Sequence, residues 1–414
     1  MKLSIGRHYL AIPGPSVIPD RVLNAMHRAS PDIYAGELPE MVPGLYRDLR
    51  EMARTSHHVA VYIANGHGAW EAANANMFSP GDSALALVTG RFGEGWAQSA
   101  EALGVEVRRL DFGRQRPVDA DQVLSALRED VDRRISVVLM THVDTTTSVL
   151  NDVAAVRAAL DEADHPALLA VDCVASLGCD RFEMDAWGVD VMVCASQKGL
   201  MTPPGLGFVW VSEKAKQVCS KARWRTPYWD WSPRIDPSEF YQLFCGTAPT
   251  HHLFGLRAAL DMILHEEGLE AVWRRHDVAA HAVWAAFGKW GAGAGQGSGI
   301  ALNIADPAIR SRAVTTARLA SPFATKLREW VEAHAGVTLG LGIGMAPPGD
   351  PASHGFLRIA HMGHFNAHMT LGVLASMEAG MKALGIAHGD DALSAAAAVL
   401  ADRRVESMPP EGTT

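Results

Sequence analysis

The feature that most constrains this chain is an alternation of two periodicities. Between residues 59 and 211, short apolar runs are separated by amphipathic stretches. The apolar runs are Val59–Ala64, Ala84–Val88, Val105–Leu110, Ile135–Met140, Ala167–Val171, Val189–Cys194 and Gly207–Val211. The stretches Ala69–Phe78, Gly95–Leu103, Ala120–Glu129 and Val153–Glu162 carry apolar residues at helical spacing. Near-continuous apolar strands joined by such helices are βαβ units, which build a mostly parallel sheet covered on both faces. The expected fold class is therefore α/β. In open sheets of this kind, ligands bind beyond the carboxyl ends of the strands. Asn65, Phe92, Thr141, Asp172 and Lys198 all fall at such ends.

The rest of the chain is arranged around that block. Ile12-Pro13-Gly14-Pro15-Ser16 is a rigid extended entry, because prolines fix φ and bias their predecessors away from helix. Helices are expected at about Arg21–Arg28, Tyr46–Ser56, His251–His265 and Leu269–Lys289. The runs Ala313–Leu319, Phe323–His334, Gly355–Ala360 and Met369–Leu384 read as a smaller α+β unit. The expected plan is an N-terminal arm at 1–20, a large domain at 21–267, a small C-terminal domain at 268–402 and a flexible tail at 403–414. Two glycine-rich stretches, Gly291–Gly299 and Gly340–Gly344, lack the strand-then-helix context of a dinucleotide fingerprint and are read as loops.

Composition excludes several functions. The net charge is −9 with no long block of one sign, which argues against a nucleic-acid or membrane-surface partner. No apolar run reaches the roughly 20 residues of a membrane span. Cys173, Cys179, Cys194, Cys219 and Cys245 form no C-x-x-C pair and read as reduced thiols of a cytoplasmic protein. His361, His364 and His368 lie close together, but nothing completes a metal site around them, and none is assigned. The aromatic cluster Trp224, Tyr228, Trp229 and Trp231 fits either an ordered loop near the site or interface, or packing under a long loop.

Chemistry concentrates at two neighbouring strand ends. The run from Val189 breaks into Ala195-Ser196-Gln197-Lys198-Gly199, and the run from Ala167 ends in Asp172. An amine and an acid on adjacent strand ends suit a site for an aldehyde cofactor. Taken singly, the two residues read as well as a solvated lysine and a helix cap.

An ordered set runs along the chain: Gly66-His67-Gly68-Ala69-Trp70-Glu71, Thr141-His142, Asp172-x-Val174-x-Ser176, Ser196-Gln197-Lys198 with Pro203-Pro204-Gly205, and Leu357-Arg358-Ile359. This set resembles the class V aminotransferases, pyridoxal-phosphate enzymes of fold type I. The likeness runs from about Pro13 to Leu400 and points to the branch of alanine–glyoxylate and serine–glyoxylate (serine–pyruvate) aminotransferases. It implies a large domain with a mostly parallel central sheet and a smaller α+β domain. It also implies pyridoxal 5'-phosphate as cofactor and a homodimer with shared active sites.

By the same resemblance, Lys198 is the lysine that condenses with the cofactor and later moves a proton, and Asp172 faces the pyridine nitrogen. Gly66, His67, Gly68, Ser196 and Gln197 would hold the phosphate, joined by Thr247 from a second subunit. Phe92 would stack on the ring, and Thr146 and Val174 would contact it. Arg358 would clamp the substrate carboxylate, because its planar fork matches one. Tyr34, in Ile33-Tyr34-Ala35-Gly36, would approach the substrate from the partner subunit.

Three departures stand out. Phe244 replaces a common tyrosine, Asp144-Thr145-Thr146-Thr147-Ser148 replaces Glu-x-x-Thr-Gly, and no His-Arg pair accompanies Tyr34. The expected reaction moves the amino group of serine or alanine to glyoxylate or pyruvate by a ping-pong mechanism. Alternatives are pyridoxamine–pyruvate, ureidoglycine–glyoxylate or aspartate–glyoxylate exchange, or a lyase. A desulfurase is disfavoured because no cysteine follows Cys245. A rival outside catalysis is a binding protein that keeps the fold and has lost the chemistry.

Overall fold

The computed structural model describes residues 3–293 and 298–402. The expected tail at 403–414 lies outside the described residues, as does the middle of the Gly291–Gly299 stretch.

Among the described residues, fourteen strands form three sheets. They are β1 (Tyr9–Ala11), β2 (His58–Ala64), β3 (Ser83–Val88), β4 (Glu106–Asp111), β5 (Ile135–Thr141), β6 (Val143–Asp144) and β7 (Val149–Leu150). Then follow β8 (Leu168–Asp172), β9 (Val191–Ala195), β10 (Gly205–Val211), β11 (Ala301–Leu302), β12 (Val314–Arg318), β13 (Val337–Leu341) and β14 (Phe356–Ala360). The seven-stranded sheet has the order β2-β10-β9-β8-β5-β3-β4. Pairings from β9 to β4 are parallel, and β10 runs antiparallel to both its neighbours. Every residue of β3, β8 and β9 is buried. This is why these strands read as unbroken apolar runs rather than as alternations.

Each crossover helix buries one stripe on the sheet. Asp119 and Asp152 cap the helices Ala120–Glu129 and Val153–Glu162 with their side chains. One helix differs from its sequence reading. Glu37–Met52 starts nine residues before the expected Tyr46. Pro39 lies in its first turn, where the missing N–H costs nothing, and Pro43 sits inside it. Its buried face, including Leu38, Val42, Leu45, Leu49 and Met52, outweighs the proline cost.

The second sheet has the order β1-β13-β14-β12-β11. The N-terminal segment thus enters it as a parallel strand, Tyr9–Ala11 against Val337–Leu339. Helix Leu269–Ala292 bridges two apolar cores. Leu269, Val272 and Trp273 belong to the core of the large sheet, whereas Ala280 to Trp290 pack with the core of the second. The aromatic cluster takes the packing alternative. Trp231 is fully buried, and Trp224, Tyr228 and Trp229 pack on the same core. Among the described residues, no helix is long and apolar enough to cross a membrane.

Candidate active site

The carboxyl ends of β5, β8 and β9 converge on one cavity of about 120 Å3. Its walls include Gly66, His67, Phe92, Asp172, Gln197 and Lys198. Trp70, Val174 and Thr145 also border it.

The turn after β9 sets the position of Lys198. Ser196 Oγ donates to the Pro203 carbonyl at 2.7 Å and accepts from Leu206 N–H at 3.3 Å, closing the loop that returns to β10. Gly199 packs so tightly on the Leu177 carbonyl that any side chain there would collide with backbone. Met201 N–H donates to the Lys198 carbonyl at 3.0 Å. The N-terminal entry closes over the amine. Lys198 Nζ donates to the Pro13 carbonyl, and Ser16 Oγ donates to the Lys198 carbonyl at 2.7 Å. Gly14 has φ +104°, a backbone conformation that favours glycine, and lies against the end of the lysine side chain.

Asp172 ends β8, paired with Thr141 on one side and Val193 on the other. Its Oδ1 accepts from Val174 N–H at 2.7 Å and its Oδ2 from Trp70 Nε1 at 2.9 Å. Burial pushes this carboxyl up to about 7, against the lowering effect of those two donors and of the Lys198 charge. Burial pulls Lys198 down to about 8, and the Arg358 charge adds to that.

Arg358 sits in mid-strand on β14 and is buried. Its Nε donates to the Leu341 carbonyl at 2.6 Å and its Nη1 to the Thr145 carbonyl at 3.0 Å. Burial lowers it to about 10, and Asp144 opposes that as the nearby anion a buried arginine requires. Nη2 makes no hydrogen bond among the described residues.

The structure separates the remaining candidates. Gly66, His67, Phe92, Val174 and Gln197 border the cavity, and the Gln197 side-chain oxygen is buried without a partner. Gly68 faces the other way, toward Ala64 and Trp229. Its N–H, like that of His67, is capped by the Asn65 side chain, at 3.3 and 3.1 Å. Ser196 is fully buried with its hydroxyl spent on the turn, so it offers nothing to a phosphate. Of the two neighbouring threonines, Thr145 and not Thr146 borders the cavity. Thr146 is fully buried, its hydroxyl donating to Asp144 Oδ1 at 2.6 Å and accepting from Arg91 N–H at 3.2 Å, whereas Thr145 borders the cavity. Tyr34 and Thr247 are exposed and do not border the cavity.

Asp144 carries more than its place in a divergent loop suggested. Its Oδ2 accepts from Phe92 N–H at 2.8 Å and Gly93 N–H at 3.1 Å, so it caps helix Arg91–Ala102. Its Oδ1 accepts from Thr146 N–H at 2.9 Å. One carboxylate thus orients Phe92 and the Thr145 loop together. Ser148 stands where the family pattern has glycine and adopts φ +61°. Its hydroxyl offsets that strain, accepting from Thr316 N–H on β12 at 3.1 Å.

Residues 8–289 match the family described as aminotransferase class-V. The chain belongs to the class V aminotransferases. It is 34% identical to a serine–glyoxylate aminotransferase of Methylorubrum extorquens, with 90% of each chain covered. It is 35% identical to an L-aspartate–glyoxylate aminotransferase of Paracoccus denitrificans, with 91% of each covered. In fold it is similar to the ureidoglycine–glyoxylate aminotransferase of Bacillus subtilis, with a TM-score of 0.85 at 24% identity, covering 96% of this chain and 99% of that one. This class V aminotransferase is therefore an amino-group-transferring enzyme of fold type I, and its family implies pyridoxal phosphate.

Proposed function

We propose that this class V aminotransferase carries pyridoxal 5'-phosphate on Lys198. It moves the amino group of a small amino acid, serine or alanine, to glyoxylate or pyruvate in two half-reactions. The observation that carries this reading is one buried cavity bordered by both an amine and a carboxylate, Lys198 and Asp172.

The residues fit the group chemically. Asp172 presents a carboxylate already polarised by two N–H donors, suited to a protonated ring nitrogen. Such a cation would reverse the rise that burial imposes on Asp172. Phe92 offers a ring face, and Gly66, His67 and Gln197 border the cavity where the positive end of helix Gly66–Met77 would favour a phosphate. When bound, the cofactor supplies an electron-withdrawing ring that accepts the electron pair left at the donor's α-carbon. Lys198 carries the proton. With a pKa drawn down to about 8, a useful fraction of the amine is unprotonated near neutral pH. Arg358 does not border the cavity, but its charge acts on Lys198, and with two carbonyls holding it in place its Nη2 would be left for a substrate carboxylate.

The names of the relatives in Methylorubrum extorquens and Paracoccus denitrificans support glyoxylate as acceptor. The second of them keeps aspartate as a competing donor. Thr247 and Tyr34, exposed in the single chain, are proposed to complete the site of a second copy in a homodimer. The test is a half-reaction panel. The protein loaded with pyridoxal phosphate is mixed with serine, alanine and aspartate singly, and loss of its yellow absorbance is followed. Serine or alanine should bleach it fastest, and added glyoxylate should restore the colour. A protein that stays colourless with the cofactor, or that no donor bleaches, overturns the reading.

A further inference from the structure

Trp70 was noted in the sequence only as part of a helix-start motif. In the structure its indole Nε1 donates to Asp172 Oδ2 at 2.9 Å in a buried setting. The ring is held on several sides. It stacks on Trp96 at 6.2 Å and 8°, meets Phe92 edge-on at 6.4 Å, and lies 4.7 Å from the His67 ring. Trp96 is itself anchored, its Nε1 donating to Asn74 Oδ1 at 3.0 Å. The indole therefore has one place to put its N–H, and that place is the carboxylate.

The chemistry of the donor matters. An indole N–H only donates and cannot accept a proton. The Asp172 oxygen facing it is thereby kept as an acceptor, which favours the anion on that oxygen. Val174 N–H does the same for the other oxygen, so the carboxylate plane is fixed from both sides. Other ionisable groups act on Asp172. The Lys198 charge favours its anion and Asp144 opposes it, while burial and the Asp172 charge hold the neighbouring thiols Cys173 and Cys194 in their neutral form.

We propose that Trp70 is a positioning residue for the transamination chemistry, holding Asp172 anionic and correctly oriented while coupling it to Phe92. The proposal rests on the reading that Asp172 serves the ring nitrogen of pyridoxal phosphate.

The test compares the wild-type holoenzyme with Trp70→Phe, which keeps an aromatic ring and removes the N–H, and with Trp70→His, which keeps a donor. Donor-dependent kcat, KM, the visible absorbance spectrum and its pH dependence are measured for each. In Trp70→Phe, kcat should fall about 10- to 100-fold, the range carried by a hydrogen bond to a charged group. KM for the amino donor should change less than threefold or so, since Arg358 rather than Asp172 binds the donor carboxylate. The pH midpoint of the holoenzyme spectrum should move, and Trp70→His should recover part of both effects. In an Asp172→Asn background, Trp70→Phe should cost little more, because the two residues act as a pair.

If Trp70→Phe lowers only melting temperature or cofactor occupancy, with kcat per bound cofactor and the spectral midpoint unchanged, the proposal is overturned and the residue is merely packing. If instead the wild-type protein neither takes up the cofactor nor turns over, the reading beneath it fails, which is a distinct result.

Discussion

The two ends of the cavity are built differently. At the inner end Asp172 and Trp70 are buried and Lys198 is half-buried, and each is tied by hydrogen bonds to neighbours in the same chain. At the outer end the expected phosphate ligands are thinly supplied by one chain. Gly68 faces away, Ser196 is spent, and Thr247 is exposed. The difference teaches a division of labour. On the proposed reading, the chemistry is pre-formed within each chain and anchorage of the cofactor is completed by a second copy. Such a division would make activity depend on assembly while fold and ring chemistry would not.

The sharpest break in that picture is at the inner end. Lys198→Ala should abolish turnover, by at least about a thousandfold given what a proton-transferring and covalent group contributes. Added cofactor should leave its spectrum that of free pyridoxal phosphate. Turnover near wild type would remove the basis of the whole comparison. Asp172→Asn comes next. An amide cannot hold a proton on a ring nitrogen, and losing that electrostatic support should cost kcat about 100- to 1,000-fold. Far-UV circular dichroism should stay native.

Arg358→Gln tests the boundary between the two ends. It removes the carboxylate fork and leaves a polar side chain between the Leu341 and Thr145 carbonyls. The expected result is a KM for the amino donor raised about 10- to 100-fold, as for a lost charge-assisted hydrogen bond. Cofactor affinity should move much less, and equal losses in both would merge the ends into one. Thr247→Ala tests the outer end alone. It should weaken cofactor binding about tenfold with kcat at saturation near wild type. Mixing Thr247→Ala with Lys198→Ala subunits should yield dimers in which one of the two sites is intact in both respects. With cofactor below saturation, such mixtures should outperform the Thr247→Ala protein at the same concentration of Thr247→Ala subunits, and failure to do so would count against supply across subunits.

How much of this was legible in the sequence follows the same division. Positions set by a strand's end were readable, because an apolar run announces where the backbone stops. Asp172 and Lys198 are such positions, and helices Ala120–Glu129 and Val153–Glu162 match to the residue. Direction was not readable. Gly207–Val211 has the composition of a parallel core strand but belongs to the antiparallel β10, since burial on both faces produces the same apolar run either way. Within loops, the choice between Thr145 and Thr146 depends on which hydroxyl Asp144 claims, a tertiary fact with no signature in a run of three threonines. Trp70 was hidden because a tryptophan in a helix reads as core, and its N–H partner lies 102 residues away.

The smallest effect sharpens the inner end through pH. His276 buttresses the wall behind Lys198, and His361 lies close to His276. His276 Nε2 accepts from Gly363 N–H at 3.0 Å, and Gly363 packs on the Lys198 carbonyl. Burial holds both histidines below their ordinary value, His361 at about 4. The unfolded chain therefore binds more protons than the folded one as pH falls below about 6.5, and stability is lost across that window. Asp172 and Asp180 have the opposite sign. Burial raises them to about 7 and about 6, so in the cofactor-free protein their stabilising contribution is complete at low pH and is lost as pH rises from about 4. Each group contributes at most about 1.4 kcal/mol per pH unit. A cation held beside Asp172 cancels its share of the opposing pair. Cofactor loading should therefore raise the melting temperature progressively more between about pH 4 and pH 7. In Asp172→Asn the increment should be nearly flat over that range. A wild-type increment equally flat would mean that the carboxylate carries no proton for the cofactor to displace, its two N–H donors already holding it anionic against burial.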